Sequence, residues 1–261
     1  MAAKKKSQAK PASPSRSIAS LDVALLWGRA RGMCSYCRCE LILEATDSDR
    51  VSLIGEMAHI VGHSHQGPRP DGAFPSEQRN KYENLILLCP NHHATVDKQD
   101  STYTVNDLLK IKTDHERWVS EQTRSAVPGV GFSELDTVTK ALVGAGLPGG
   151  PNFQIVAPDQ KLARNGLTDR VRFELLLVLS KAREVEHFVV EMGKLDAAFP
   201  DRLKAGFLRE YARLVADGVT GDALFEAMGS FAAAGHRAFS LQAAGRIVLA
   251  YLFEKCEVFE K

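Results

Sequence analysis

The chain has no long apolar run, no leading hydrophobic segment, few cysteines and almost no net charge, and each shortage excludes something. No stretch reaches the roughly 18 apolar residues that a bilayer span needs, and the first residues lack the hydrophobic core of a secretory signal, so a cytoplasmic protein without membrane attachment is expected. Five cysteines in 261 residues do not suggest a disulfide framework. Four of them, Cys34, Cys37, Cys39 and Cys89, are clustered in sequence, which suits a reducing compartment with bound metal, while Cys256 is expected to pack as a small hydrophobe. The formal net charge of +1 offers no large positive surplus. Residues 1–17 carry Lys4, Lys5, Lys6, Lys10 and Arg16 without an acid and read as a disordered, solubilising basic tail. Residues 18–124 hold 12 Lys and Arg against 15 Asp and Glu, and residues 125–261 hold 16 against 17. Counterion release supplies much of a protein's grip on DNA, so this balance argues against tight autonomous binding.

What is present suggests two domains, one of them helical. Residues 17–31 show apolar positions at helical spacing and stop at Gly32; residues 51–60 alternate as a strand; residues 61–79 are crowded with Gly and Pro and read as an exposed loop. The run LILLC after Asn84 reads as a short buried segment, with helices expected from His92 and over 104–123. Residues 125–167, with PGVG and GLPGGP, read as a linker holding one short helix at 133–143. From residue 168 onward four helices are expected, over 168–195, 201–217, 222–234 and 240–252, enough for a bundle. The last of these is apolar on more than one face, which fits either a central bundle helix or a docking surface for a partner or a second copy.

Two pairs of metal-ligand spacing stand in the first half. Cys34 with Cys37, and Cys89 with His92, each place two ligands two residues apart on a turn, one edge of a zinc tetrahedron apiece. A Cys₃His structural zinc site is expected, with Cys39 set aside as a rival because it follows Cys37 too closely. Such a site substitutes for a core that so irregular a domain cannot assemble.

The ordered set CSYC, EMAHI and NLILLCPNHH resembles the HNH endonuclease family over about residues 30–100. The resemblance implies an α+β fold, a small zinc-stabilised ββα-metal domain over 18–124, followed here by the linker and an all-α domain over 168–261. It also implies roles: His59 as the base that activates water, Asn84 as the residue that orients it or pins its loop, and His93 as a ligand of a catalytic Mg²⁺ or another divalent cation, with DNA as substrate. Where much of the family has an acidic residue or histidine before the first histidine, this chain has Ala58. The second metal ligand is therefore open among Asp71, His63, Glu56 and Asp97, of which Asp97 lies one turn beyond His93 on the same helix face. Arg69, in GPRPDG, has the planar fork of a phosphate clamp. The C-terminal half resembles, weakly, docking domains of anti-phage effectors built around an SMC-like ATPase complex, which implies a regulatory partner. The alternative is a catalytically degenerate, zinc-stabilised adaptor for nucleic acid or protein.

Overall fold

The computed structural model describes residues 17–43, 46–64, 66–143, 158–255 and Phe259, so the basic tail, His65 and Cys256 lie outside the described residues. Helix α1 (Ser20–Ala30) ends in a left-handed cap at Arg31 and Gly32, where Gly32 N–H donates to Trp27 O and Arg31 N–H to Gly28 O, closing the orphaned carbonyls of its last turn. The chain then turns through the cysteine knuckle into β1 (Ile42–Leu43), paired antiparallel with β2 (Ser52–Leu53). Strand β3 (Glu56–His59) pairs antiparallel with β4 (Leu85–Leu88), with His59 opposite Leu85 and Glu56 opposite Leu88. The expected strand over 51–60 is thus two short strands in different sheets. All four leucine and isoleucine side chains of β4 are buried under α1, α2 (Pro90–Lys98) and α3 (Val105–Ala126), which explains a continuous rather than alternating apolar run. Proline at the first turn and the Cys89 cap set the start of α2, and a Thr104–Asp107 capping box starts α3.

The stretch expected to be a linker holds α4 (Phe132–Val143), whose Leu135, Val138 and Leu142 are buried in the same core as the helices that follow. This helix is part of the packed body, because its apolar stripe has a partner in α8 and α10. Helix α5 (Pro158–Arg164) follows, and the helix expected over 168–195 is broken into α6 (Asp169–Leu179) and α7 (Ala182–Leu195) at Ser180 and Lys181. Next come α8 (Phe199–Ala216), α9 (Gly221–Ala232) and α10 (Phe239–Lys255). Helix α10 is packed by α3, α4, α6, α7 and α9. Its apolar faces, Ile247, Val248, Leu249 and Phe253 included, are covered within the chain, which corrects the reading of this helix as a surface for a partner or second copy.

The two halves share an interface. Helix α1 lies on α9 so closely that a methyl group at Gly28 would stand 2.5 Å from the Glu226 Cβ. Arg29 pairs with Asp222 at 3.6 Å, and Arg237 donates to Glu40 and to Ile42 O. No described helix is long and apolar enough to cross a membrane.

Candidate active site and metal centre

The sulfurs of Cys34, Cys37, Cys39 and Cys89 lie within 4.8 Å of one another, close enough to converge on one zinc-sized ion with bonds of roughly 2.3 Å. Cys39, set aside on spacing, belongs to this cluster. The backbone makes room for it: Arg38 is left-handed (φ 61°), and Cys34 N–H donates to Cys39 O at 2.8 Å, so the chain reverses within three residues. His92, on the first turn of α2, brings Nδ1 to 3.0 Å from the Cys89 sulfur and 3.9 Å from that of Cys34, with its ring stacked on Tyr36. Burial pushes the Cys34 thiol up to about 11, and burial with the neighbouring Cys37 pushes Cys39 up to about 12. At Cys89 burial is outweighed by hydrogen bonds from His92, which bring it down to about 7. A soft divalent cation is what such a set of sulfurs and imidazole selects.

On the other side of α2 the imidazole of His93 sits between two carboxylates. Its Nδ1 contacts Glu56 Oε2 from the start of β3, and its Nε2 lies 3.2 Å from Asp97 Oδ2, one turn along the helix. Asp97 first, then Glu56, raises His93 to about 9 against the opposing effect of burial. Glu56 and Asp97 were both candidates for the second ligand, and the structure brings both to His93. They address opposite ring nitrogens, so they embrace the imidazole instead of converging beside it. Asp71 instead caps a turn by accepting from Ala73 N–H at 2.8 Å, while His63 meets His59 edge to face, centroids 5.2 Å apart.

His59 ends β3, half-buried, with Nε2 at 2.9 Å from Asn80 Oδ1. An amide oxygen accepts, so Nε2 carries the proton and Nδ1 is left with a lone pair, an assignment set by the hydrogen-bond network. Burial lowers its pKa, the charges of His63 and His93 act in the same direction, and the Asn80 hydrogen bond and the Asp97 charge oppose. Asn80, which sequence reasoning missed, therefore orients the His59 ring. Asn84, 3 % exposed, pins the loop: its Oδ1 accepts from Val61 N–H at 2.8 Å and its Nδ2 donates to Val61 O and Arg79 O. Nothing in the local pattern of QRNKYEN separates Asn80 from Asn84.

Arg69 is not placed as a phosphate clamp. It is 7 % exposed and left-handed (φ 50°), and its guanidinium donates to Ile60 O (2.9 Å), Val96 O (2.6 Å), His59 O (3.2 Å) and Asp97 Oδ1 (2.6 Å). With every nitrogen engaged inside the protein it ties the end of β3 to the end of α2, and with them His59 to the helix of His93. Arg79, also buried, does the same for the Gly/Pro loop by donating to Gly62 O, Asp71 O and Phe74 O.

A short antiparallel pair followed by a helix thus carries a cysteine cluster at one side and strand and helix histidines at the other. Residues 34–100 match the family model for HNH endonucleases, so this part of the chain is an HNH domain. No curated protein matches the chain.

Proposed function

We propose that the protein is a metal-dependent endonuclease that hydrolyses DNA phosphodiester bonds. The observation that carries this reading is the His59 imidazole, held by Asn80 with Nδ1 unprotonated, on the strand that Arg69 fastens to the helix of His93. In the proposed reaction His59 Nδ1 takes the proton of the attacking water, its lowered pKa keeping it neutral for that task. His93, with Glu56 or Asp97, would hold the divalent cation, which when bound supplies Lewis acidity at the phosphate. His93 must first lose its own proton. Asn84 keeps the chain after His59 in place, and Cys34, Cys37 and Cys89, with Cys39 or His92 as the fourth ligand, would hold a structural zinc that anchors the first turn of α2, so that His93 is fixed without being shared.

Plasmid cleavage by the full chain with Mg²⁺, Mn²⁺ or Ni²⁺ tests this. His59→Ala should abolish cleavage, and Asn80→Ala should reduce it with a shifted pH profile. Cleavage that survives His59→Ala rules out the assigned base. Ala58 and the carboxylates on opposite sides of His93 favour a second reading, a zinc-stabilised adaptor; DNA retained in binding assays without cleavage under any of the three metals would establish it. The biological setting we propose on resemblance is a regulated effector of anti-phage defence, and plaque counts unchanged by His59→Ala would refute it.

A further inference from the structure

Between the two halves lies a cavity of about 740 Å³, within the range of small-molecule sites. Its walls come from the end of α1, the Tyr82–Glu83 turn, α3, α6 and the α9–α10 pair. Seven of its lining residues are arginine or lysine and five are glutamate, and the acids deepest in it are already engaged. Glu226 accepts from Arg170 and Arg246, Glu174 accepts from Arg246, and Glu116 accepts from the Tyr82 hydroxyl at 2.5 and 2.6 Å; Glu83 and Glu121 are exposed. Arg31 has neither an ion pair nor a side-chain hydrogen bond among the described residues, though it lines the cavity. Burial first, then the charge of Arg246, pulls it down to about 9, while the charges of Glu226 and Glu174 oppose. Arg29, beside it, has a buried Nε–H without an acceptor. Arg29 keeps Asp222 at 3.6 Å, but an arginine with no direct counter-ion contact beside a buried N–H with no acceptor gains from an anion that enters. Phe173, 56 % exposed with Arg124 over its ring at 5.0 Å, adds an aromatic surface to the same walls.

We propose that this cavity binds a small phosphorylated molecule, with its phosphate against Arg31 and Arg29, and that occupancy is felt in the nuclease half through Lys112. Lys112 lines the cavity, donates to Tyr82 O and stands 3.5 Å above the Tyr82 ring. Tyr82 N–H donates to buried Asp22 at 2.8 Å, and the same turn carries Asn84, which pins the chain after His59. A phosphate competing for Lys112 loosens the hold on that turn. The binding part stands by itself; only the regulatory part rests on the nuclease reading.

The test is isothermal titration of the full, metal-loaded chain with inorganic pyrophosphate and with ATP, in the absence of DNA. One or both should bind, and Arg31→Met should weaken binding by about tenfold to a hundredfold, the effect of losing a charge-assisted contact of about 1.5 to 3 kcal/mol. His93→Ala should bind as the wild type does, which separates this cavity from the candidate active site. If Arg31→Met does not fold, Arg31→Lys should retain most of the binding and Lys112→Met should reduce it. Failure of both probes to bind, binding indifferent to Arg31 and Lys112, or a DNA oligonucleotide held at Arg31 in their place would overturn the proposal. Binding that behaves as expected in a protein that never cleaves DNA would sink the nuclease reading and leave the site standing.

Discussion

Replacing Arg69 separates a brace from a substrate contact. The guanidinium makes four hydrogen bonds, one of them to a carboxylate, at 3 % side-chain exposure. Asp97 is a third exposed and keeps His93 as a partner, so most of the cost lies in the carbonyls of Ile60, Val96 and His59, each of which costs about 1 to 3 kcal/mol when deprived of its donor, non-additively. Arg69→Ala is therefore expected to destabilise the HNH half by about 3 to 5 kcal/mol through those lost hydrogen bonds. Arg69→Lys should recover little, because a compact ammonium cannot span acceptors on both β3 and α2. Hydrogen exchange is the suitable assay, since the two halves need not unfold together: amides of β3, β4 and α2 should lose protection while those of α8 keep theirs. A phosphate clamp predicts the opposite, intact protection with weaker DNA affinity and a salt slope shallower by about one. A loss of less than about 1 kcal/mol with that change in slope would refute the brace and restore the clamp.

Four further outcomes are expected. Zinc affinity, read by competition with a chelating dye, should fall for Cys39→Ser as well as for His92→Ala, because the Cys39 sulfur lies within 4.8 Å of the other three and His92 Nδ1 lies 3.0 and 3.9 Å from those of Cys89 and Cys34. Asn84→Ala removes three hydrogen bonds from a buried turn and should lower stability by about 2 to 4 kcal/mol in denaturant titration. The His93 imidazolium, raised to about 9 by its carboxylates, stabilises the metal-free protein below its ordinary pKa near 6.5, an effect lost as pH rises through about 9. Thermal melts without divalent metal should therefore weaken from pH 7 to 9, and Mn²⁺ should bind more tightly over the same interval as the competing proton leaves. Glu226→Gln leaves Arg170 and Arg246 without their shared counter-ion and should destabilise the helical half by about 3 to 5 kcal/mol, seen as a lowered melting temperature with zinc content unchanged.

What was legible in the sequence is what depends on spacing. The two ligand pairs, the strand histidine and the helix of His93 come from residues a few positions apart, and their geometry follows from a turn, a strand or a helix. Two failures, at Cys39 and Arg69, share a different cause. Among the described residues, Arg31, Arg38 and Arg69 all have positive φ, at 56°, 61° and 50°, a left-handed conformation for which sequence reading looks to Gly or Asn. At Arg38 it reverses the chain and delivers Cys39 to the sulfur cluster despite the short spacing. At Arg69 it accompanies a guanidinium turned inward from a segment whose Gly and Pro content reads as solvent-exposed loop. At Arg31 it ends α1 and lies beside the interdomain cavity. A non-glycine residue is kept in this region only when its surroundings compensate a cost of about 1 to 3 kcal/mol. Arg69 shows the compensation in four hydrogen bonds and Arg38 in its position over the Trp118 ring at 4.1 Å. Arg31 shows it in the helix-end hydrogen bonds, Arg31 N–H to Gly28 O and Gly32 N–H to Trp27 O, while its side chain, without a direct ion pair among the described residues, is left at the cavity wall where an anion can reach it.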